Sequence, residues 1–215
     1  MKSYIREPIN AFTHLGGALL FLIATVILLV LGASTPFFTL SFIISVIIFG
    51  LSLVLLYTTS GIYHLIVAKE TVILKLKKLD HSMIFILIAG SYTPFCLLSL
   101  SGAWKWSILS IVWLVAILGI TSKILWINMP RWLSTLLYIG MGWIALFALK
   151  PLYDSLTTVS FLLLVLGGVM YTIGGVIYAI KKPNISKAFG FHELFHVFCI
   201  LGSACHYISV LNFIL

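Results

Sequence analysis

The chain has 215 residues, 62% of them hydrophobic and 8% charged, with a formal net charge of +8. Long apolar runs recur from end to end, which excludes a soluble domain and describes helices crossing a membrane. Period-2 alternation is absent, which excludes a barrel, and the basic residues are scattered over the connections, where they read as topology signals rather than a nucleic-acid surface.

Residues 1–10 are polar and carry Lys2, Arg6, Glu7, Pro8 and Asn10. The first apolar run, 11–31, is too long for a signal-peptide core and reads as a retained span. Asn10 and His14 lie one turn apart at its start, and His14 reads as a ring hydrogen-bonded at the interface. Pro36 marks a turn before the second span, 39–66, which exceeds the hydrocarbon thickness and is expected to tilt or project. That span ends Ser60-Gly61-Ile62-Tyr63-His64, with the Ser60 hydroxyl one turn from the imidazole. Residues 67–80 read as a basic loop with Lys69, Lys75, Lys77 and Lys78, and Asp80 as the N-cap of the third span, 81–100. His81 reads as interfacial. Pro94 cannot donate to the Gly90 carbonyl, so a kink is expected there.

The fourth span is 106–126 and the fifth 132–149, stopped by Pro151. Trp104, Trp106, Trp126 and Trp132 fall at their ends, as an aromatic belt requires. In the sixth span, 158–180, Gly167, Gly168, Gly174 and Gly175 leave one face bare for close helix packing. Lys181, Lys182, Pro183 and Lys187 form the last loop, and the seventh span is 191–213. Cys96, Cys199 and Cys205 all sit in apolar runs without paired spacing, so no disulfide is expected. The whole chain, 1–215, reads as one all-α domain of seven transmembrane helices.

With seven spans, the termini lie on opposite sides. Lys2, Arg6, Lys69, Lys75, Lys77, Lys78, Lys123, Arg131, Lys181, Lys182 and Lys187 group on one side, against Lys105 and Lys150 on the other. The positive-inside rule then places the N-terminus in the cytoplasm and the C-terminus outside.

That topology gathers polar groups. His64, Asp80, His192 and His196 come from distant segments to the same cytoplasmic depth. His192 and His196 are four residues apart, about 40° around a helix axis, so both rings share one face. Three histidines with an open fourth position suit a catalytic Zn²⁺, which would lower the pKa of a bound water. Asp80 either orients and deprotonates that water or closes the site as a fourth ligand; both readings stay open. His206 is about 21 Å beyond His192 along the helix and reads as a packing or hydrogen-bonding residue. His192-Glu193-Leu194-Phe195-His196 also matches H-E-x-x-H, in which Glu193 would be a general base. The competing reading has Glu193 serving the helix N-terminus.

Ser60-x-x-x-His64, Lys78-Leu79-Asp80-His81-Ser82 with Gly90-Ser91-Tyr92-Thr93-Pro94, and His192-x-x-x-His196 together resemble the hemolysin III branch of the progestin and adipoQ receptor superfamily. The opening Glu7-Pro8-Ile9-Asn10-Ala11-Phe12-Thr13-His14 resembles that branch too, so the likeness covers essentially the whole chain. The resemblance implies seven transmembrane helices with zinc near the cytoplasmic face, held by His64, His192 and His196, with Asp80 linked to it through water. In the adiponectin receptor branch the residue matching Glu193 is not Glu, which argues against an essential base there. The receptor branch and the related alkaline ceramidases imply hydrolysis of lipid amides; the bacterial branch carries the name of a haemolysin. The expectation is a zinc-dependent hydrolase of ceramidase type in the cell membrane, acting on a lipid amide in lipid or fluidity homeostasis. Its ligand is a membrane lipid or fatty acid, not a nucleic acid. The zinc ligands are His64, His192 and His196, the catalytic residue is Asp80, Ser60 supports them, and Glu193 and His14 are subsidiary candidates. The alternatives are a pore-forming cytolysin and a non-catalytic sensor with structural zinc.

Overall fold

The computed structural model describes residues 4–126, 128–186 and 188–215. Lys2 and Lys187, two of the residues in the charge asymmetry, lie outside them. The described residues form helices α1 (Pro8–Gly32), α2 (Leu40–Leu65), α3 (Glu70–Pro94), α4 (Gly102–Leu125), α5 (Arg131–Gly142), α6 (Leu149–Ser155), α7 (Thr158–Ile180) and α8 (Phe191–Ile214). Seven segments are long and apolar enough to span a membrane, with α5 and α6 forming one interrupted span. The protein is all-α, as its sequence predicts.

Local chemistry starts the helices. Pro8 opens α1, where its fixed φ fits and its missing N–H is no loss. Thr39 caps α2 by accepting from Phe42 N at 3.2 Å, and Thr157 caps α7 by accepting from Ser160 N at 3.1 Å. Phe21, Phe42, Phe49, Tyr57 and Phe85 fill the centre of the α1–α2–α3 side. Leu19, Leu20, Leu22 and Ile23 face outward. In lipid, close packing rather than removal from water holds such helices together.

Three expectations are corrected. Residues 70–80 are helix, not loop. The run Glu70 to Leu79 contains no Gly or Pro, Glu70 sits favourably in the first turn, and Lys78 Nζ donates to the Ile124 carbonyl at 2.8 Å, anchoring the extension to α4. Asp80 is therefore inside α3 and caps nothing. At Pro94, where a kink is expected, the α-helix ends and the chain passes into a π-helical segment, Phe95–Ser99, with Leu100 N donating to Phe95 O at 3.1 Å. The fifth span, expected to stop at Pro151, is broken earlier by a 3-10 segment, Trp143–Ala148, and Pro151 sits in the first turn of α6, where no N–H is needed.

The break at Trp143 is repaired by Tyr92. Its hydroxyl donates to the carbonyls of Gly142 (2.6 Å) and Met141 (3.2 Å), and accepts from Ala145 N at 2.8 Å. Irregular backbone at membrane depth persists only where protein or a cavity satisfies it. Lys123 lies in the last turn of α4, fully buried and bonded to Ser134.

The glycine face of α7 meets α8. A Cβ on Gly167 would stand 2.3 Å from His206 Cδ2, and one on Gly174 2.8 Å from Phe198 Cβ. Gly202 of α8 answers, its Cβ position lying 2.8 Å from the Tyr171 ring. Trp104, Trp106, Trp126 and Trp132 are exposed at helix ends.

Candidate metal centre

The last turn of α2 and the first two turns of α8 meet at one end of the bundle. One ring nitrogen from each of His64, His192 and His196 lies within 4.8 Å of the other two. Ring centroids are 5.0 Å apart for His64–His192, 5.0 Å for His64–His196 and 4.9 Å for His192–His196. His64 and His196 are buried, yet His64 Nε2 and His196 Nδ1 have no hydrogen-bond partner. A buried unpaired nitrogen costs about 1–3 kcal/mol. Coordination of a cation by these lone pairs would offset it, and three imidazoles are a donor set suited to Zn²⁺. The residues fit the metal.

The remaining nitrogen of His64 is already spoken for. Its Nδ1 contacts Glu7 Oε2 at 2.6 Å. The hydrogen bond with His64 holds the Glu7 carboxyl down at about 2. Glu7 is placed by backbone: Arg6 N and Glu7 N donate to the carbonyls of Leu65 and His64 at 3.3 and 3.0 Å, clipping the entry of α1 onto the end of α2. Arg6 Nε lies 3.2 Å from Glu7 Oε1, and the guanidinium covers the Tyr63 ring at 4.1 Å. A carboxylate on the distal nitrogen of a ligating histidine fixes its tautomer and raises its basicity.

Asn10 connects this pair to the last helix. Its Nδ2 donates to Glu7 Oε2 at 3.2 Å and to Glu193 Oε1 at 2.8 Å. Glu193 Oε2 accepts from Gly190 N at 2.8 Å, closing the start of α8. Both carboxylate oxygens of Glu193 are thus occupied by structural donors, the arrangement expected of a residue serving the helix N-terminus.

His14 is not hydrogen-bonded at an interface. It is buried with both ring nitrogens unpartnered, and its ring stacks on His196 at 3.5 Å and 8°. Tyr57 meets its edge at 4.9 Å. Tyr57 in turn bonds Ser203 at 2.7 Å, and Ser203 bonds Tyr171 at 2.6 Å, a buried hydroxyl chain behind the histidines. His206 stands apart: its Nε2 hydrogen-bonds the Leu164 carbonyl at 3.2 Å.

A model of the haemolysin-III-related family matches residues 2–207. The chain is also 38% identical over 220 residues to "Hemolysin-3" of Bacillus cereus, covering 100% of this chain and 95% of that protein. It is 41% identical over 208 residues to a "Hemolysin-3 homolog" of Bacillus subtilis (strain 168), covering 96% and 94%. The chain belongs to the haemolysin-III-related family. It is a multi-pass protein of the cell membrane.

In this haemolysin-III-related protein the histidines line one end of a cavity of about 570 Å³. Asp80 and Ser60 line it too, and Ser60 is the carboxylate's side-chain neighbour rather than a partner of His64. The cavity runs inward past Tyr138 and Tyr178 to Tyr92, Trp143, Gly168 and Tyr171. That volume lies within the roughly 300–1,000 Å³ of small-molecule sites. Sequence reasoning brought the histidines and Asp80 to one place, where the structure also has them, but missed Glu7 and Asn10, which hydrogen-bond beside them. The signal was present: Glu7, Asn10 and His14 are spaced i, i+3, i+7, one face of α1.

Proposed function

We propose that the protein is an integral membrane zinc-dependent hydrolase of lipid amides, of ceramidase type, serving membrane lipid homeostasis. The observation that carries this reading is the opening of a three-imidazole cluster and a nearby carboxylate onto one large intramembrane cavity. His64, His192 and His196 would hold the ion through one nitrogen each. Zinc in such a site supplies Lewis-acid polarisation and acidifies water. Glu7 keeps the His64 ring in one tautomer. Asp80 takes a proton from the attacking water and returns it to the leaving nitrogen as the amide C–N bond breaks, giving a carboxylic acid and an amine. The wall between Tyr92 and Tyr171 accommodates the acyl chain.

The test is turnover of a fluorogenic N-acyl amide by purified protein in nanodiscs. Fatty acid release that stops on chelation and returns with zinc is the expected outcome. The relatives' name points to lysis as the competing activity, although a pore needs no histidine cluster. Solute leakage from liposomes that is indifferent to chelator, with no lipid turnover, would overturn the hydrolase reading. Bound zinc with neither turnover nor leakage would make the protein a sensor.

A further inference from the structure

Alongside the histidines, the cavity is walled by two helical faces of matching character. On α3, Lys77 and His81 are four residues apart and share a face. On α5, Arg131 and Thr135 are likewise four apart. All four line the cavity. The two faces adjoin, since Tyr138 Oη of α5 donates to the His81 carbonyl of α3 at 3.2 Å.

Asp80 and Glu7 line the same cavity, but neither forms an ion pair with these cations. The ion pairs among the described residues join Arg6 and His64 to Glu7, and Lys150 to Asp154; Lys77 and Arg131 take part in none. Arg131 is held over the rings of Tyr178 and Phe191, 5.2 and 5.6 Å from their centroids, so its fork stays at the cavity. Behind them lies Lys123, fully buried, without a carboxylate and bonded to Ser134, another lining residue. Two buried polar atoms here lack any partner: His81 Nδ1 and Thr135 Oγ1. Unpaired cations beside unpartnered hydrogen-bonding groups are what an anionic oxygen needs.

We infer that this end of the cavity is an anion subsite, and that the acyl amide taken by the protein carries an anionic headgroup, carboxylate or phosphate. A neutral amide headgroup would leave Lys77 and Arg131 unpaired. The amide part of this inference rests on the hydrolase reading; the anion subsite stands on the geometry alone. Basic residues at a membrane face also attract anionic lipid from the bilayer surface, and the experiment separates that source from the cavity.

Binding of two acyl amides of equal chain length, N-palmitoylglycine (anionic) and N-palmitoylethanolamine (neutral), is measured by competition with a fluorescent fatty acid. The protein is kept in neutral-lipid nanodiscs with chelator, so that no turnover intervenes. Wild type should prefer the anionic amide by roughly tenfold. The double variant Lys77→Gln/Arg131→Gln should lose that preference and hold the neutral amide unchanged. Lys75→Gln/Lys182→Gln, which removes charges that do not line the cavity, should behave as wild type. Equal affinities in wild type overturn the subsite without needing any variant to fold. Equal loss in both double variants overturns it in favour of general surface attraction. Zinc is then restored and both amides assayed for cleavage. Anionic preference with no cleavage of either keeps the subsite and sinks the hydrolase; cleavage of both with no preference does the reverse.

Discussion

At the residue scale the proposed centre would separate into groups that hold, groups that orient and groups that react, each with its own signature on mutation. Replacing His64, His192 or His196 with Ala should each lower bound zinc in purified protein, while His206→Ala, remote and bonded to Leu164, should not; elemental analysis reads this directly. Glu7→Gln keeps a side chain beside His64 Nδ1 but removes its charge. Metal affinity should fall by roughly 10–100-fold, seen by competition with a calibrated chelator. The hydrogen bond with His64 holds the Glu7 carboxyl below the usual carboxylate range, so this residue stays ionised through the neutral range. Asp80→Asn should retain zinc and lower turnover by roughly 10²–10⁴-fold. Zinc lost along with activity would make Asp80 a ligand. The histidine cluster was legible because imidazoles four residues apart share one helix face and His64 ends another span at the same depth. Glu7, Asn10 and the His14–His196 stack were not, because each depends on which helices adjoin.

At the element scale, the departures from regular helix cluster where α3 and the fifth span border the cavity. A π segment follows Pro94, a 3-10 segment follows Gly142, and one phenol, Tyr92, mends the second break. Tyr92→Phe leaves its carbonyl acceptors and the Ala145 amide without that partner. The protein should lose about 1–3 kcal/mol of stability, visible as a lower melting midpoint in detergent, with zinc content intact. An unchanged midpoint would show that the break needs no such repair. Spans were readable from sequence because hydropathy marks them plainly. The α3 extension was not, since Lys75, Lys77 and Lys78 look like a loop to any scale that weighs polarity over helix propensity, and the break at Trp143 leaves no proline to announce it. The bare face of α7, by contrast, was readable, because only small residues admit a neighbour as close as His206.

At the scale of the whole molecule, the end bearing the histidines is also the cation-rich end, with Lys69, Lys75, Lys77, Lys78, Arg131, Lys181 and Lys182. We propose that this end faces the cytoplasm. A reporter active only in the cytoplasm should work when fused within 69–78 and fail at Leu215; the opposite result would put the metal centre outside. The centre also has an order of assembly written into it. One histidine of the triad comes from α2, and the other two from the final helix, while Glu7 and Asn10 reach in from the first. A chain still emerging from the ribosome, with α8 unmade, offers a metal only one imidazole of the triad. Under the proposed assignment, zinc is taken up only after the last span inserts, and its capture ties the beginning of the protein to its end. A bound ion is then a receipt for completed folding, and metal occupancy measures how much of a preparation has finished its topology.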